Sequence, residues 1–149
     1  MQTFLPYSDF KKSLDCLDYK RLGKQRVEAF QLLKCFYIKD YSWRSHPAFK
    51  MWKRYENALW LYHNTAISLW KDRGYKNTMA LHNISGEIVM PEWLGNDRFH
   101  SSHRSNLLRK DFRFYSQYNW SESTNIPYYW NGYGNREGEN NEISEKSQR

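Results

Sequence analysis

From Ala48 to Arg73 the chain runs 26 residues without a glycine or proline, and Gly74 follows at once. Along that stretch Trp52, Tyr55, Leu59, Tyr62, Ala66 and Trp70 recur at helical spacing. An unbroken apolar stripe of this period predicts a long helix over about 48–73, stopped by Gly74. A second helix is predicted from Asp18 to about Ile38. On it Leu22, Ala29, Phe30, Leu33, Phe36 and Tyr37 share one face, with Lys20, Lys24, Glu28 and Gln31 opposite. Ser8 is the predicted cap of a short helix over 9–16, and Asp97 that of a fourth over about 98–109. Pro47 ends a break that begins at Tyr41. Gly86, Pro91 and Gly95 make 75–96 irregular. No segment alternates like a strand. The expected fold is all-α: a single compact domain of about four helices, with irregular connections and an aromatic C-terminal segment holding Phe112, Phe114, Tyr115, Tyr118, Trp120, Tyr128, Tyr129 and Trp130.

Length and composition narrow the class. The chain has 149 residues, the size of one domain, and 40% hydrophobic residues argue against global disorder. The longest apolar runs are a few residues, so no membrane span is expected. MQTFLPYSDFKK has no apolar signal core, so no secretory targeting is expected. Two cysteines, Cys16 and Cys35, exclude a disulfide scaffold and a four-thiolate zinc site. The expectation is a cytoplasmic monomer with reduced thiols. Residues 132–149 carry three basic and four acidic residues and read as a disordered polar tail. The domain is then 1–131, and it carries about +8 of the chain's net +7. Aromatics reach 18%, with 7 Trp and 12 Tyr. Positive charge with abundant aromatics suits nucleic acid, which offers phosphates to pair and bases to stack on.

Polar residues in apolar stripes give the first candidates for a site. Arg26 projects within about 40° of Leu22 and Leu33 on the second helix. On the long helix Glu56 and His63 lie on the apolar side, seven residues apart. Either Arg26 and Glu56 pair to fix helix packing, or the group floors a polar cleft. Both readings expect Arg26 to be buried and to approach Glu56. On the fourth helix Phe99, His103, Asn106 and Lys110 share a face, with Arg104 and Arg109 beside them. That helix is either a solvated basic surface or a phosphate-gripping one with His103 or Asn106 aimed at a sugar or base. If the three anomalies converge, they meet within about 12 Å, a span suited to one nucleotide. On this wheel Glu56 leads Glu28 as the working carboxylate, because Glu28 faces away from the core.

Other chemistry finds less support. His100 and His103 are three apart, but no H-E-x-x-H spacing accompanies them, so no metal is expected. There is no glycine-rich phosphate loop and no G-x-S-x-G elbow. No cofactor is expected.

Five motifs stand in order along the chain: MQTFLPY at 1–7, LGKQRVEA at 22–29, HPA-x-x-MW-x-x-YE at 46–56, WLG at 93–95 and SHR-x-x-LL-x-KD at 102–111. Together they resemble the pyrimidine-dimer DNA glycosylases of the phage endonuclease V type, most closely a bacterial branch of that superfamily, over about residues 1–130. The resemblance implies an all-α domain whose amino terminus threads between the two long helices. It also implies binding of double-stranded DNA and base excision. In such enzymes the α-amine exposed by methionine removal attacks the sugar C1′, a glutamate near the start of the first long helix assists, and nearby arginines clamp phosphates.

The chain departs from that pattern at two points. Residue 2 is Gln, where processing favours a small residue, so the expected amine is that of Met1. Tyr19-Lys20-Arg21-Leu22 stands where the family has Tyr-Arg-Glu-Leu, which puts Arg21 on the glutamate. The candidate catalytic residues are therefore Glu56, Glu28, Arg26 and Met1. The candidate DNA-binding residues are Lys20, Arg21, Lys24, His46, Lys50, Arg54, His103, Arg104, Asn106, Arg109 and Lys110. Two functions follow: a DNA glycosylase, with or without lyase activity, acting on pyrimidine dimers or modified pyrimidines; or a non-catalytic module of the same fold that binds modified DNA or a nucleotide.

Overall fold

The computed structural model describes residues 1–134, and among these no strand occurs. The fold is all-α. Six α-helices follow in order: α1 Phe10–Asp15, α2 Tyr19–Lys34, α3 Pro47–Trp52, α4 Glu56–Asp72, α5 Asp97–Lys110 and α6 Phe112–Tyr115. A short 3-10 turn at Ser42–Ser45 precedes α3, and another at Ser116–Tyr118 follows α6. No helix of the described residues is long and apolar enough to cross a membrane.

α2 and α4 form the frame and run antiparallel. A Cβ on Gly23 would lie 3.0 Å from Trp70, Phe30 lies against His63 with ring centroids 5.9 Å apart, and Tyr37 bonds Glu56. Each pair of numbers adds to 93, so the register is constant along the interface. A side chain on Gly23 would crowd the indole of Trp70, which would have to shift by a few tenths of an ångström.

Several boundaries differ from expectation. The predicted long helix breaks at Tyr55, which has φ −133° and ψ 49°, so α3 and α4 are separate. Neither glycine nor proline causes the break. Five of the six residues of α3 are buried, and the bend lets Trp52, Tyr55 and Tyr62 all reach the core. Asp9, not Ser8, caps α1 by accepting from Lys12 N. Asn96, not Asp97, caps α5 by accepting from Phe99 N. α2 stops at Lys34, short of Ile38.

The largest correction is the face of α2. Its buried residues are Leu22, Gln25, Ala29, Leu32 and Leu33, while Phe30 is 39% and Tyr37 65% exposed. The true stripe is rotated toward Gln25. A wheel weighted by hydrophobicity gives a glutamine to solvent, yet here it is needed inside, as described below. The expected tail lies mostly in residues 135–149, outside the described residues; within 132–134, Tyr133 packs against the core.

Candidate functional site

Residues 2–5 are buried although they belong to no helix. Extended chain inside a core must find partners for its amides, and side chains supply them. Gln25 Nε2 donates to Gln2 O at 3.0 Å, and its Oε1 accepts from Phe4 N at 2.9 Å. One amide thus copies the pairing of a neighbouring strand. Tyr62 Oη donates to Phe4 O at 2.8 Å and reaches Gln25 Oε1 at 2.6 Å. Trp52 Nε1 donates to Thr3 Oγ1 at 3.0 Å, and Leu5 N donates to His103 Nδ1 at 2.9 Å. The amino-terminal segment is therefore laid among α2, α3, α4 and α5.

This threading brings the amino terminus to Glu28. Gln2 N donates to Glu28 Oε1 at 3.1 Å, one residue from the α-amine of Met1. Glu28 is mostly buried and lies 4.0 Å from Lys24 Nζ. The expectation that it faces away is overturned by the rotated face of α2.

Cations lie in the neighbourhood of this carboxylate. Burial first, then the charges of Arg21 and Arg109, press the pKa of Lys110 down, with Lys24 adding to them and Glu28 opposing. Tyr128 feels the same neighbours: burial pushes its hydroxyl up, and Arg109, Glu28 and Arg21 act on it in turn. Arg21, Lys24, Glu28, Arg109, Lys110 and Tyr128 thus share one electrostatic neighbourhood. His46 borders the amino terminus. Burial, and after it the positive terminus, hold its pKa down at about 4. Its Nδ1 accepts from Ala48 N at 3.0 Å to cap α3, and its ring meets Trp43 and Trp130 edge to face.

Glu56 is elsewhere. Its level on the frame is that of residue 37, nine residues from Glu28 and so roughly 13 Å along the axis. There it accepts from Tyr37 and from Trp60 Nε1 at 3.2 Å. Arg26 neither meets Glu56 nor is fully buried. Its guanidinium lies over Trp70, 4.4 Å from the ring centroid, and donates to Asn77 Oδ1 at 2.6 Å. The antiparallel register explains this, since residue 26 falls opposite residue 67. His63 is buried between Phe30 and Trp60, with Nδ1 on Asn64 Oδ1 at 3.0 Å. The three polar anomalies of the sequence do not converge.

α5 also serves a different end from the one expected. His103 and Asn106 are fully buried, and the bonds they make go to the chain's own backbone. His103 holds Leu5; Asn106 Nδ2 donates to Ser102 O and Ile126 O at 2.8 and 3.1 Å. Arg104 donates to Pro6 O at 2.7 Å and Glu122 at 2.8 Å. The small polar residues admit close backbone, but it is the chain's own: the amino-terminal segment and residues 123–129. Arg109 is exposed and donates to Thr124 O at 2.9 Å. Arg54 pairs with Glu92 at 3.2 Å, both exposed. Lys20 and Lys50 are exposed, with no ion pair among the described residues.

Gln25, Tyr62 and Tyr128 were not foreseen as site residues. Gln25 carried a signal: a glutamine every apolar neighbour of which, at 22, 29 and 32, lies inside. The described residues hold no group of three or more His, Cys, Asp or Glu arranged for a metal ion.

Residues 1–83 match the family model described as pyrimidine dimer DNA glycosylase, a span of more than half the chain that contains α1 to α4, Glu28 and the threaded segment. No curated protein and no solved structure matches the chain.

Proposed function

The chain belongs to the pyrimidine dimer DNA glycosylase family, and from that premise we propose that it excises damaged or modified pyrimidines from duplex DNA with Glu28 as its carboxylate and the α-amine of Met1 as its nucleophile. One observation carries this reading: Glu28 Oε1 sits 3.1 Å from Gln2 N, next to the amino terminus, with Lys24 4.0 Å from its other oxygen.

The chemistry suits that placement. A target nucleotide leaves the base stack. The amine nitrogen bonds to C1′ as the C1′–N1 bond breaks. The base departs with that electron pair and takes a proton. Loss of the amine proton then opens the sugar ring to an imine. Glu28 accepts the amine proton and returns it to the ring oxygen, and its charge favours the positive sugar in the transition state. Arg21, Lys24, Arg109 and Lys110 supply the positive field that DNA phosphates require. Tyr128 and Trp130 border the site as aromatic walls.

Glu56 does not enter this reading, because it lies at the start of α4, roughly 13 Å along the axis from Glu28. Arg26, His103, Arg104 and Asn106 enter it as structural groups. A second reading, a binding module without chemistry, is favoured by Gln2 in place of a small residue and by Arg21 at the family's glutamate position. Mass spectrometry of a dimer-bearing duplex before and after incubation separates the two. Base release is expected; tight binding with the DNA left intact would establish the module, and no affinity at low salt would end both.

A further inference from the structure

Arg21 stands in the first turn of α2, where a helix end repels cations, and no acidic residue shares that turn. Asp18, the residue before the helix, does not use its side chain to cap it. Its carboxylate turns instead to two other groups. Oδ1 accepts from Arg21 Nη1 at 3.1 Å, and it accepts from the hydroxyl of Tyr115. Asp18 N donates back to that hydroxyl at 3.1 Å. Burial works against the carboxylate, yet the bonds from Tyr115 and Arg21 outweigh it and keep its pKa below the usual range.

Tyr115 is itself immobilised. It is wholly buried, and its ring stacks on Trp120 with centroids 5.8 Å apart and planes at 12°. Trp120 Nε1 in turn donates to Tyr7 Oη at 2.9 Å. A chain of contacts thus runs from the amino-terminal region through the aromatic segment to Asp18 and ends on Arg21. The Arg21 side chain keeps 25% exposure, and its remaining donors have no partner among the described residues. Near it Lys24 lies 4.0 Å from Glu28, and Arg21, Lys24 and Arg109 all act on Lys110 as like charges. A guanidinium anchored at one corner, with its other donors open in a cationic rim, matches a phosphate diester.

We propose that Asp18 and Tyr115 are positioning residues that hold the Arg21 guanidinium as a preset clamp for a DNA phosphate beside the Glu28 centre. The inference rests on the DNA-acting reading above. It assigns function to an acidic residue and a buried tyrosine, neither of which touches DNA.

The sign of one substitution tests it. Asp18→Asn removes a negative charge from a DNA-facing surface, and bulk electrostatics alone tightens binding. Positioning gives the opposite sign. Fluorescence anisotropy with a dimer-bearing duplex across a salt series is the readout, with melting curves to verify folding. Asp18→Asn is expected to bind about tenfold more weakly, and Tyr115→Phe, which keeps the ring stack and the charge, about threefold more weakly. Both should flatten the salt slope by about one phosphate, as Arg21→Ala does. In the Arg21→Ala background neither substitution should weaken binding further, because both act through Arg21. Equal or tighter binding by Asp18→Asn, or an undiminished loss in the Arg21→Ala background, overturns the proposal. If Asp18→Asn fails to fold, Tyr115→Phe and its double variant decide by the same criterion. Wild-type protein with no duplex affinity at low salt overturns the DNA-acting reading itself, and this inference with it.

Discussion

The α2–α4 pair carries two carboxylates at different levels, and only one is placed to do chemistry. Midway along α2, Glu28 meets the amino-terminal segment and lies near Arg and Lys side chains. At the start of α4, Glu56 meets Tyr37 and Trp60, and Trp60 stacks on His82 at 3.7 Å. The helix pair is the same and the residue type is the same. The difference is what passes between them. Extended chain with buried amides enters at the level of Glu28, and a polar cage is built to hold it. Aromatic rings close the level of Glu56, and its carboxylate serves as their acceptor. A carboxylate on a helix interface therefore becomes a functional candidate through the company the rest of the chain brings to it.

Exchanging the two carboxylates for amides is the strongest way to break this comparison. Glu28→Gln should lower base release at least about 100-fold while duplex affinity stays within a few-fold. Glu56→Gln should leave base release nearly unchanged and cost about 1 kcal/mol of stability. Equal losses in both variants would erase the distinction between the two carboxylates.

The next effect concerns the cage. Gln25→Leu keeps volume but strands Gln2 O and Phe4 N in the interior, so it should cost about 3 kcal/mol in denaturant unfolding. Base release should fall with it, because the amine is no longer held at Glu28. A variant with wild-type stability would show that the amino-terminal segment is held by other contacts.

How much of this was readable in the chain depends on the residue. The helical frame was, because Leu22, Ala29, Leu59, Tyr62 and Ala66 repeat at helical spacing, and no glycine or proline interrupts α4. The irregular 75–96 segment was too, since Gly86, Pro91 and Gly95 break it. The site was not. Its position depends on where residues 2–5 thread, a long-range event that leaves no local period. The phase of α2 was misjudged because Phe30 and Tyr37 outweigh a glutamine in any hydrophobic count. His103 and Asn106 looked like ligand-facing groups, for a buried side chain that satisfies a distant backbone amide has the same sequence signature. Arg26 looked buried and paired with Glu56, but the register that sets it opposite residue 67 and gives it Trp70 and Asn77 is a property of the pair of helices.

A smaller effect follows from the histidines. His46, His63, His100 and His103 all have lowered pKa values, each through burial first, and His46 falls to about 4 from 6.5. The unfolded chain then binds more protons than the folded one below about pH 6.5. Stability from these groups is complete above that pH and is lost as pH falls from 6.5 toward about 4. Melting temperature should drop steadily over that window. His46→Gln should shallow the drop, since its share disappears; an unchanged profile would mean His46 is charged in the folded state.

The smallest effect separates Arg26 from the rim. Arg26→Ala should cost about 1 kcal/mol, through loss of its stack on Trp70 and its bond to Asn77, and leave DNA affinity unaltered. A marked loss of affinity would place Arg26 among the phosphate contacts and widen the site toward the Trp70 end of α4.

The central claim is that the amino terminus and Glu28 form one reactive centre. Borohydride reduction during incubation with a dimer-bearing duplex, followed by peptide mapping of the cross-linked protein, tests it most directly. The account predicts a covalent adduct on the α-amine of Met1, absent from Glu28→Gln. An adduct on Lys110 or another lysine side chain, or base release without any adduct, would contradict it.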